Sequence, residues 1–272
     1  MITIRAAILG GELAYETAGD DATSDPVVML HGGLLDRHQW DTEFSALGAT
    51  RRVIRYDARG HGESSVADGD FAFHADLVAL LDHLDLPRVT GVGLSLGART
   101  IIDAALVHPH RFGALLLVSP GYSGIEFTDP FVLEHTAAML TAAGDGDTEA
   151  FVEAFLRAWV DGPDRSPGDV DPTVRTRCHD MARTAAARGF GSTGRLHEVG
   201  AAERLAELSM PVDVVLGDLD STDIAAAAER IVTAVRDAHV TTVRGAGHAV
   251  NLDRPDAFGA VLHDFLDRRA AR

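Results

Sequence analysis

The stretch GVGLSLGART, residues 91–100, places a serine between two glycines, where an apolar run meets a helix-like segment. The apolar run favours a buried strand, and the residues after it repeat apolar positions at helical spacing. On a sharp turn between strand and helix, flanking glycines remove Cβ atoms that would clash with neighbouring backbone. The pattern predicts either a nucleophile, Ser95, or an ordinary glycine-flanked turn.

Strand-like and helix-like segments alternate on both sides of this junction. The predicted strands cover residues 2–8, 12–18, 26–33, 51–60, 88–94, 112–121, 211–220 and 239–248. The predicted helices cover residues 35–48, 70–87, 96–109, 223–235 and 254–269, the first of them ending at a glycine cap, Gly48. Such alternation predicts an α/β fold with a mostly parallel sheet and helices on both faces.

The strand pattern is absent from residues 122–200, where helical patterns replace it. The segment EAFVEAFLRAWV places Phe151, Phe155 and Trp159 on one helical face. Loops rich in Gly, Pro and Asp, at residues 142–147 and 161–172, are expected to be exposed. We therefore expect a core of residues 1–121 and 201–272 with a helical lid inserted at 122–200.

The composition excludes several classes of function. The net charge of −17 argues against nucleic acid and anionic membranes as partners. The sequence contains no lysine, which removes Schiff-base chemistry and the lysine of a phosphate-binding P-loop. These features favour a small, uncharged substrate and argue against PLP and ATP. We expect neither a cofactor nor a metal.

No apolar run is long enough for the core of a signal peptide or for a membrane span. We therefore expect a soluble, cytoplasmic protein. The single cysteine, Cys178, cannot form an internal disulfide, which agrees with a reducing compartment. We interpret it as a buried or half-buried residue of small size.

Candidate partners for Ser95 follow it in the order acid, then histidine. Asp220 comes after the strand VDVVLG, and His248 comes after the strand HVTTVRG. Both would lie at the carboxyl edge of the sheet, where open α/β sheets bind their ligands. Asp218 is an alternative acid, because it precedes Asp220 by only two residues.

Five motifs in sequence order resemble the α/β-hydrolase family over nearly the whole chain. They are VVMLHGG, YDARGHGES, GLSLG, GDLD and GAGHAVNLDRPDAF. The resemblance implies an eight-stranded, mostly parallel sheet with a helical lid. It implies that Ser95 attacks an acyl carbon, that His248 accepts and returns the proton, and that Asp220 orients the imidazole.

The resemblance also implies an oxyanion hole and a neighbouring group of structural residues. The oxyanion would be held by the N–H groups of Gly33 and Leu96, with Leu34 as the alternative to Gly33. Asp57, Arg59 and His61 are interpreted as a structural turn whose charges pair locally. His31 would brace the oxyanion loop, and the histidines at 108 and 110 lack a third metal ligand.

A serine at residue 95 argues against the dehalogenases and epoxide hydrolases of this fold, which use aspartate, and leaves ester and lactone hydrolysis. The chain resembles 3-oxoadipate enol-lactonases and the bacterial hydrolases around them. An anionic lactone is disfavoured, because residues 121–200 carry a net charge of about −6. Cofactor-free haloperoxidases or perhydrolases, and slow ligand-binding proteins on this fold, remain alternatives.

The candidate substrate contacts include several apolar residues of the lid. Most apolar side chains of the lid are expected to pack within the lid itself, while some must face Ser95 to exclude water from the acyl site. The candidates for contact with substrate are Leu34, Phe127, Phe131 and Trp159.

Overall fold

Strands and helices alternate along most of the computed structural model, which describes residues 3–20, 24–189 and 193–270. The strands are β1 Ile4–Ile8, β2 Gly11–Ala18, β3 Val27–Leu30, β4 Val53–Tyr56, β5 Asp70–Phe71, β6 Val89–Leu94, β7 Phe112–Val118, β8 Arg195–Leu196, β9 Val212–Gly217 and β10 Ala238–Val243. The helices are α1 Asp41–Leu47, α2 Phe73–His83, α3 Leu96–Val107, α4 Pro130–Asp145, α5 Thr148–Leu156, α6 Pro172–Gly189, α7 Thr222–Ala234, α8 Val250–Asp253 and α9 Pro255–Ala270. A π-helical turn, Arg157–Asp161, follows α5 directly.

Eight of these strands form one sheet in the order β1-β2-β4-β3-β6-β7-β9-β10. The pairs β1–β2 and β2–β4 are antiparallel, and the remaining pairs are parallel. The central strands β3 and β6 are buried along their whole length, as expected for parallel strands covered on both faces. The predicted eight-stranded, mostly parallel sheet is confirmed.

Helices cover both faces of the sheet, and each face has its own apolar core. On one face, Leu77 of α2, Ile101 of α3 and Ile231 of α7 are buried against the strands. On the other face, Phe44 of α1 and Phe258 of α9 are buried. Within the described ranges, no helix combines the length and apolar character that a membrane crossing requires.

The structure differs from the sequence prediction at three connecting segments. Residues 70–71, predicted as helix, form strand β5, which pairs in parallel with β8 inside the region predicted to lack strands. Two backbone hydrogen bonds join the strands, from Arg195 N to Gly69 O at 3.0 Å and from His197 N to Phe71 O at 2.8 Å. Local periodicity cannot reveal a two-residue strand whose partner is so distant in sequence.

Most residues of the two loops expected to be exposed are exposed, but both loops begin within helical structure. Helix α4 continues to Asp145 and ends at Gly146, which has a left-handed φ of 70°. In the second loop, the side chain of Asp161 is fully buried. Asp161 is buried because two arginines bind its carboxylate, Arg157 at 3.0 Å and Arg175 at 3.0 Å.

Gly48 ends α1 as predicted, but the reason is close packing rather than a left-handed cap. Its φ is −60°, which any residue can adopt. A Cβ atom on Gly48 would lie 2.7 Å from the Cβ of Ala18 in β2. The glycine therefore lets the end of α1 approach the sheet.

The turn between β6 and α3 is built on two further close approaches. A Cβ on Gly93 would lie 2.5 Å from the carbonyl carbon of Gly97, and a Cβ on Gly97 would lie 2.3 Å from the carbonyl oxygen of Leu30. Ser95, between them, has a φ of 53°. The backbones of β3, β6 and the first turn of α3 are thus in direct contact, with no side chain between them.

Buried amide groups connect the loop after β3 with helix α8. Gly32 N donates to Gln39 Oε1 at 2.9 Å, and Gln39 Nε2 donates to Asn251 Oδ1 at 3.1 Å. Asn251 Nδ2 donates in turn to Gln39 O at 3.1 Å and to Glu43 Oε2 at 3.5 Å. Since burial penalises its charged form, the pKa of Glu43 is raised to about 7.

Replacing Gly97 with alanine should destabilise the protein strongly. The new methyl group would overlap the Leu30 carbonyl, so we expect Gly97→Ala to cost about 3 kcal/mol or more. The matched control is Gly144→Ala in α4, where nothing lies within 4 Å of the added Cβ. The control should be neutral or stabilising by up to about 1 kcal/mol. Urea unfolding measures both, and equal stabilities of the two variants would contradict the close approach.

The burial of Glu43 predicts a pH-dependent stability. Folded Glu43 keeps its proton up to about pH 7, whereas the unfolded chain releases it near pH 4.5. The folded state then binds more protons between these values, so its contribution to stability falls as the pH rises through this window. Glu43→Gln stays neutral at every pH. The free energy of unfolding of the variant, relative to that of the wild type, should therefore increase between pH 5 and pH 8, by up to about 3 kcal/mol. A difference that does not change with pH would contradict the prediction.

Candidate active site

Ser95 lies where β6 ends and α3 begins, and its backbone has an unusual conformation. Its φ of 53° is in the left-handed region that non-glycine residues seldom adopt. Its N–H donates to the Val118 carbonyl at the end of β7, at 2.9 Å. Such a strained strand-to-helix turn presents a side chain at the carboxyl edge of the sheet.

The structure brings Asp220, and not Asp218, to His248. Asp220 Oδ2 lies 2.8 Å from His248 Nδ1, and the two side chains are 3% and 6% exposed. Asp218 Oδ1 instead accepts a hydrogen bond from Gly245 N at 2.6 Å. When Nδ1–H donates to Asp220, Nε2 is left able to accept a proton.

The two loops that hold this pair are bound to each other. Leu219 N donates to Ala246 O at 2.9 Å, and Asp218 N donates to Val243 O at 3.2 Å. A Cβ on Gly217 would lie 2.1 Å from Ala246 O. Because β9 and β10 are parallel neighbours, both loops leave the same edge of the sheet and can pack together.

Ser95 and His248 face a shared apolar cavity of about 190 Å³. Its walls come from the loop after β3 and from the turn between β6 and α3 that carries Ser95, here called the elbow. The mostly helical segment between β7 and β9, the helical insertion, and the loop after β10 that carries His248, the histidine loop, complete them. The lining residues are Gly32, Gly33, Leu34, Leu35, Leu94, Ser95, Met139, Phe155, Trp159, Val160, His248 and Ala249.

Two of the predicted substrate contacts lie in this cavity wall, and two do not. Leu34 and Trp159 line it. Phe127 packs edge-on against Trp159, with ring centroids 5.6 Å apart, so it supports the wall from behind. Phe131 packs against His135, with centroids 4.3 Å apart, and does not line the cavity, contrary to the prediction. The spacing of aromatic residues along a helix does not show which rings line the cavity and which pack behind its wall.

Gly33, which lines the cavity, lies beside Leu96, the other predicted oxyanion residue. A Cβ on Gly33 would be 4.0 Å from the Cβ of Leu96. The neighbouring Leu34 has a φ of 58°, so the chain turns sharply there. Two backbone segments that carry N–H groups therefore meet next to Ser95, an arrangement able to bind a developing oxyanion.

His31 braces the oxyanion loop, as predicted. Its buried ring bridges two backbone groups, with Nδ1 2.7 Å from Gly32 O and Nε2 2.9 Å from Ala58 N. Because Nε2 accepts from Ala58 N, the ring is neutral and its Nδ1–H donates to Gly32 O. Burial lowers the pKa of His31, which agrees with this assignment. Burial, and then the nearby His31, lowers the pKa of His61 to about 4, so that ring is neutral as well.

The charged residues of the turn after β4 are structural, but the prediction that they pair locally is wrong. Asp57 forms a buried ion pair with Arg37 and accepts hydrogen bonds from Arg37 N and Glu63 N, both at 2.8 Å. Arg59 binds Asp76 of α2 through two hydrogen bonds, of 2.7 and 2.9 Å. These long-range pairs fix the turn against α2 and the segment before α1.

Cys178 lies in α6, outside the cavity lining. Its side chain is fully buried, and burial raises the pKa of the thiol to about 12. The thiol therefore stays protonated and is a poor nucleophile.

Sequence reasoning missed three residues that hold the site together. Gln39 and Asn251 form the amide connection beneath the oxyanion loop. Arg165 lies 3.0 Å from Asp253, close to the loop that carries His248. Asn251 follows His248 by three residues, which is the only signal in the sequence that could have indicated it.

Comparisons with known proteins agree with this geometry. Residues 27–261 match the model of the alpha/beta hydrolase family. A 3-oxoadipate enol-lactonase of Acinetobacter baylyi is 28% identical, covering 94% of this chain and 93% of its own. An esterase of Mycobacterium tuberculosis is 28% identical, covering 89% of this chain and 83% of its own.

A solved structure extends the likeness to three dimensions. A hydrolase from Pseudomonas aeruginosa PA01 superposes with a TM-score of 0.76 at 27% identity, covering 97% of this chain and 98% of its own. The family model covers most of the present chain, and the sheet order and helical layers are those of a hydrolase fold. The chain therefore belongs to the α/β-hydrolase family.

Proposed function

We propose that the protein is a serine hydrolase that cleaves a small, uncharged carboxylic ester or lactone through an acyl-enzyme. The observation that supports this most directly is the Asp220–His248 hydrogen bond of 2.8 Å. The histidine of that pair lines the same apolar cavity as Ser95. A hydroxyl nucleophile, a base and a group that orients the base are the three requirements of this chemistry.

In the proposed reaction, Ser95 Oγ attacks the acyl carbon while His248 Nε2 takes its proton. Asp220 stabilises the imidazolium that forms, and the N–H groups of Gly33 and Leu96 hold the oxyanion of the tetrahedral intermediate. The intermediate collapses, His248 protonates the leaving alcohol, and an acyl-enzyme remains. Water activated by His248 then releases the acid. Apart from the substrate and water, these proposed steps use only groups of the chain.

The cavity favours an uncharged substrate with a small acyl group. Apart from His248, its lining residues carry no ionisable side chain, so no cation there can compensate a substrate carboxylate. Burying an unpaired carboxylate costs several kcal/mol or more. Ligand pockets usually enclose about 300–1,000 Å³, and this one encloses only about 190 Å³.

The helical insertion is proposed to act as a lid, residues 122–200, over a core of residues 1–121 and 201–272. Four of its residues, Met139, Phe155, Trp159 and Val160, line the cavity opposite the elbow. An apolar wall at that position would exclude water while the acyl-enzyme forms.

Loss of the Ser95 hydroxyl tests the proposed function. Ser95→Ala should lower kcat for p-nitrophenyl acetate by about 10⁴-fold or more while the protein remains folded. Ser45→Ala, at an exposed position in α1, serves as the control. In the wild type, kcat/KM should decline as the acyl chain grows from acetyl to octanoyl. Retained turnover in Ser95→Ala would overturn the proposal, as would peroxide-dependent halogenation that exceeds hydrolysis.

The two aspartates should differ sharply as asparagine variants. Asp220→Asn keeps the shape but favours the wrong imidazole tautomer, so we expect kcat to fall by about 10³- to 10⁴-fold. Asp218→Asn should cost less than about tenfold, since that side chain holds only a loop N–H. Comparison of kcat/KM for the two variants decides between them, and a greater loss at Asp218 would contradict the assignment.

A further inference from the structure

Arg165 connects the helical insertion with the loop that carries His248. It lies between the π turn and α6, and its side chain is only 9% exposed. Its Nη2 lies 3.0 Å from Oδ2 of Asp253, whose side chain is 5% exposed. Removing one partner of an ion pair this well buried leaves an uncompensated charge, so the folded state needs both side chains.

The same guanidinium caps the π turn. Arg165 Nη2 donates to Val160 O at 2.7 Å, and Arg165 Nε donates to Asp161 O at 2.7 Å. The last carbonyls of a helical turn have no partner within the turn and need donors from elsewhere. A planar guanidinium can bind both carbonyls and a carboxylate together, which an ammonium group cannot do in fixed geometry.

On its other side, the ion pair holds the residue before His248. Asp253 Oδ2 accepts a hydrogen bond from Gly247 N at 2.7 Å. A Cβ on Gly247 would lie 2.0 Å from Arg165 Nη2, so the loop packs directly against the guanidinium. One carboxylate oxygen thus binds both the arginine and the backbone next to His248.

The two segments held by Arg165 meet again at the site. Trp159 belongs to the π turn, and its ring packs against the His248 imidazole with centroids 4.7 Å apart at an angle of 49°. Phe127 also packs against the indole, with ring centroids 5.6 Å apart. Displacement of either segment would therefore change the contact between Trp159 and His248.

We propose that Arg165 is a positioning residue for His248. Through Asp253 it fixes the histidine loop, and through the π turn it fixes Trp159 against the imidazole. This inference rests on the proposed function, in which Nε2 of His248 must reach Ser95 while Nδ1 stays bonded to Asp220. A displacement of about 1 Å in such an arrangement can cost about 10²-fold in rate.

The insertion has its own internal support, so loss of Arg165 should not unfold it. The buried Asp161 carboxylate is bound by Arg157 and Arg175, each at 3.0 Å. Apolar packing of α5 and α6, through Phe155, Leu156 and Met181, is independent of Arg165. The effect of Arg165 should consequently appear in catalysis and in the environment of Trp159.

The kinetic test uses Arg165→Gln, Arg165→Lys, Asp253→Asn and the double variant Arg165→Gln/Asp253→Asn. The control is Arg183→Gln, an arginine of α6 paired with Glu149 where both side chains are 63% exposed. We expect kcat to fall about 10- to 100-fold in Arg165→Gln and in Asp253→Asn, with KM changed only a few-fold. Because both residues act through one ion pair, kcat of the double variant should be no lower than that of the less active single variant. Arg165→Lys keeps the charge but loses the planar set of guanidinium donors, so its kcat should lie between those of the wild type and Arg165→Gln.

A second measurement does not depend on activity. The chain has two tryptophans, so the emission that is lost in Trp159→Phe belongs to Trp159. In Arg165→Gln and Asp253→Asn this emission should shift to longer wavelength and be quenched more by acrylamide, whereas Arg183→Gln should match the wild type. If Arg165→Gln fails to fold, Arg165→Lys and Asp253→Asn give the same two readouts.

The outcomes separate failure of the inference from failure of the proposed function. If the wild type hydrolyses p-nitrophenyl acetate and Ser95→Ala does not, the proposed function stands. Variants at residues 165 and 253 whose kcat lies within twofold of Arg183→Gln, with unchanged Trp159 emission, would then overturn the positioning role alone. If the wild type shows no ester hydrolysis, the fluorescence shift still decides whether Arg165 fixes Trp159.

Discussion

The rest of the structure depends on the close approach of the backbones of β3, β6 and α3, which leaves no room for a Cβ atom between them. At the elbow, β6 turns into α3 so tightly that Gly93 faces the backbone of Gly97, and Gly97 faces the Leu30 carbonyl of β3. This contact sets the distance between two neighbouring strands and the helix that follows. It also holds Ser95 at a φ of 53°, a conformation that the surrounding structure must enforce because the residue alone disfavours it.

Parallel strands explain why every polar group of the site is at one edge of the sheet. Strands β3, β6, β9 and β10 end on the same side, so their loops are neighbours although they are far apart in sequence. Hydrogen bonds then join those loops in pairs. Gln39 and Asn251 link the oxyanion loop to α8, and Leu219 and Ala246 link the acid loop to the histidine loop. The proposed catalytic groups thus depend on contacts between loops more than on any single turn.

Local patterns were sufficient to predict the strands of the large sheet and the three loops of the proposed triad, since each follows a recognisable strand. Side-chain partners were not predictable. The sequence has many arginines and carboxylates, and spacing does not tell that Arg59 binds Asp76 or that Arg165 binds Asp253. The π turn was also missed, because its residues continue the helical spacing of α5 and differ only in hydrogen bonding.

The absence of lysine has a structural consequence for the helical insertion. Besides Arg165, Arg177 of α6 binds Asp41 at 2.6 Å, and Arg188 near the end of α6 donates to the carbonyls of Gly62 and Ser64. Each guanidinium can satisfy several acceptors in one plane, which fixes direction as well as distance. Three such attachments between the insertion and the rest of the chain favour a cavity of constant size. If the protein has the proposed function, the size of the acyl group would then determine which esters react, because walls held in this way do not move apart to accommodate a larger acyl group.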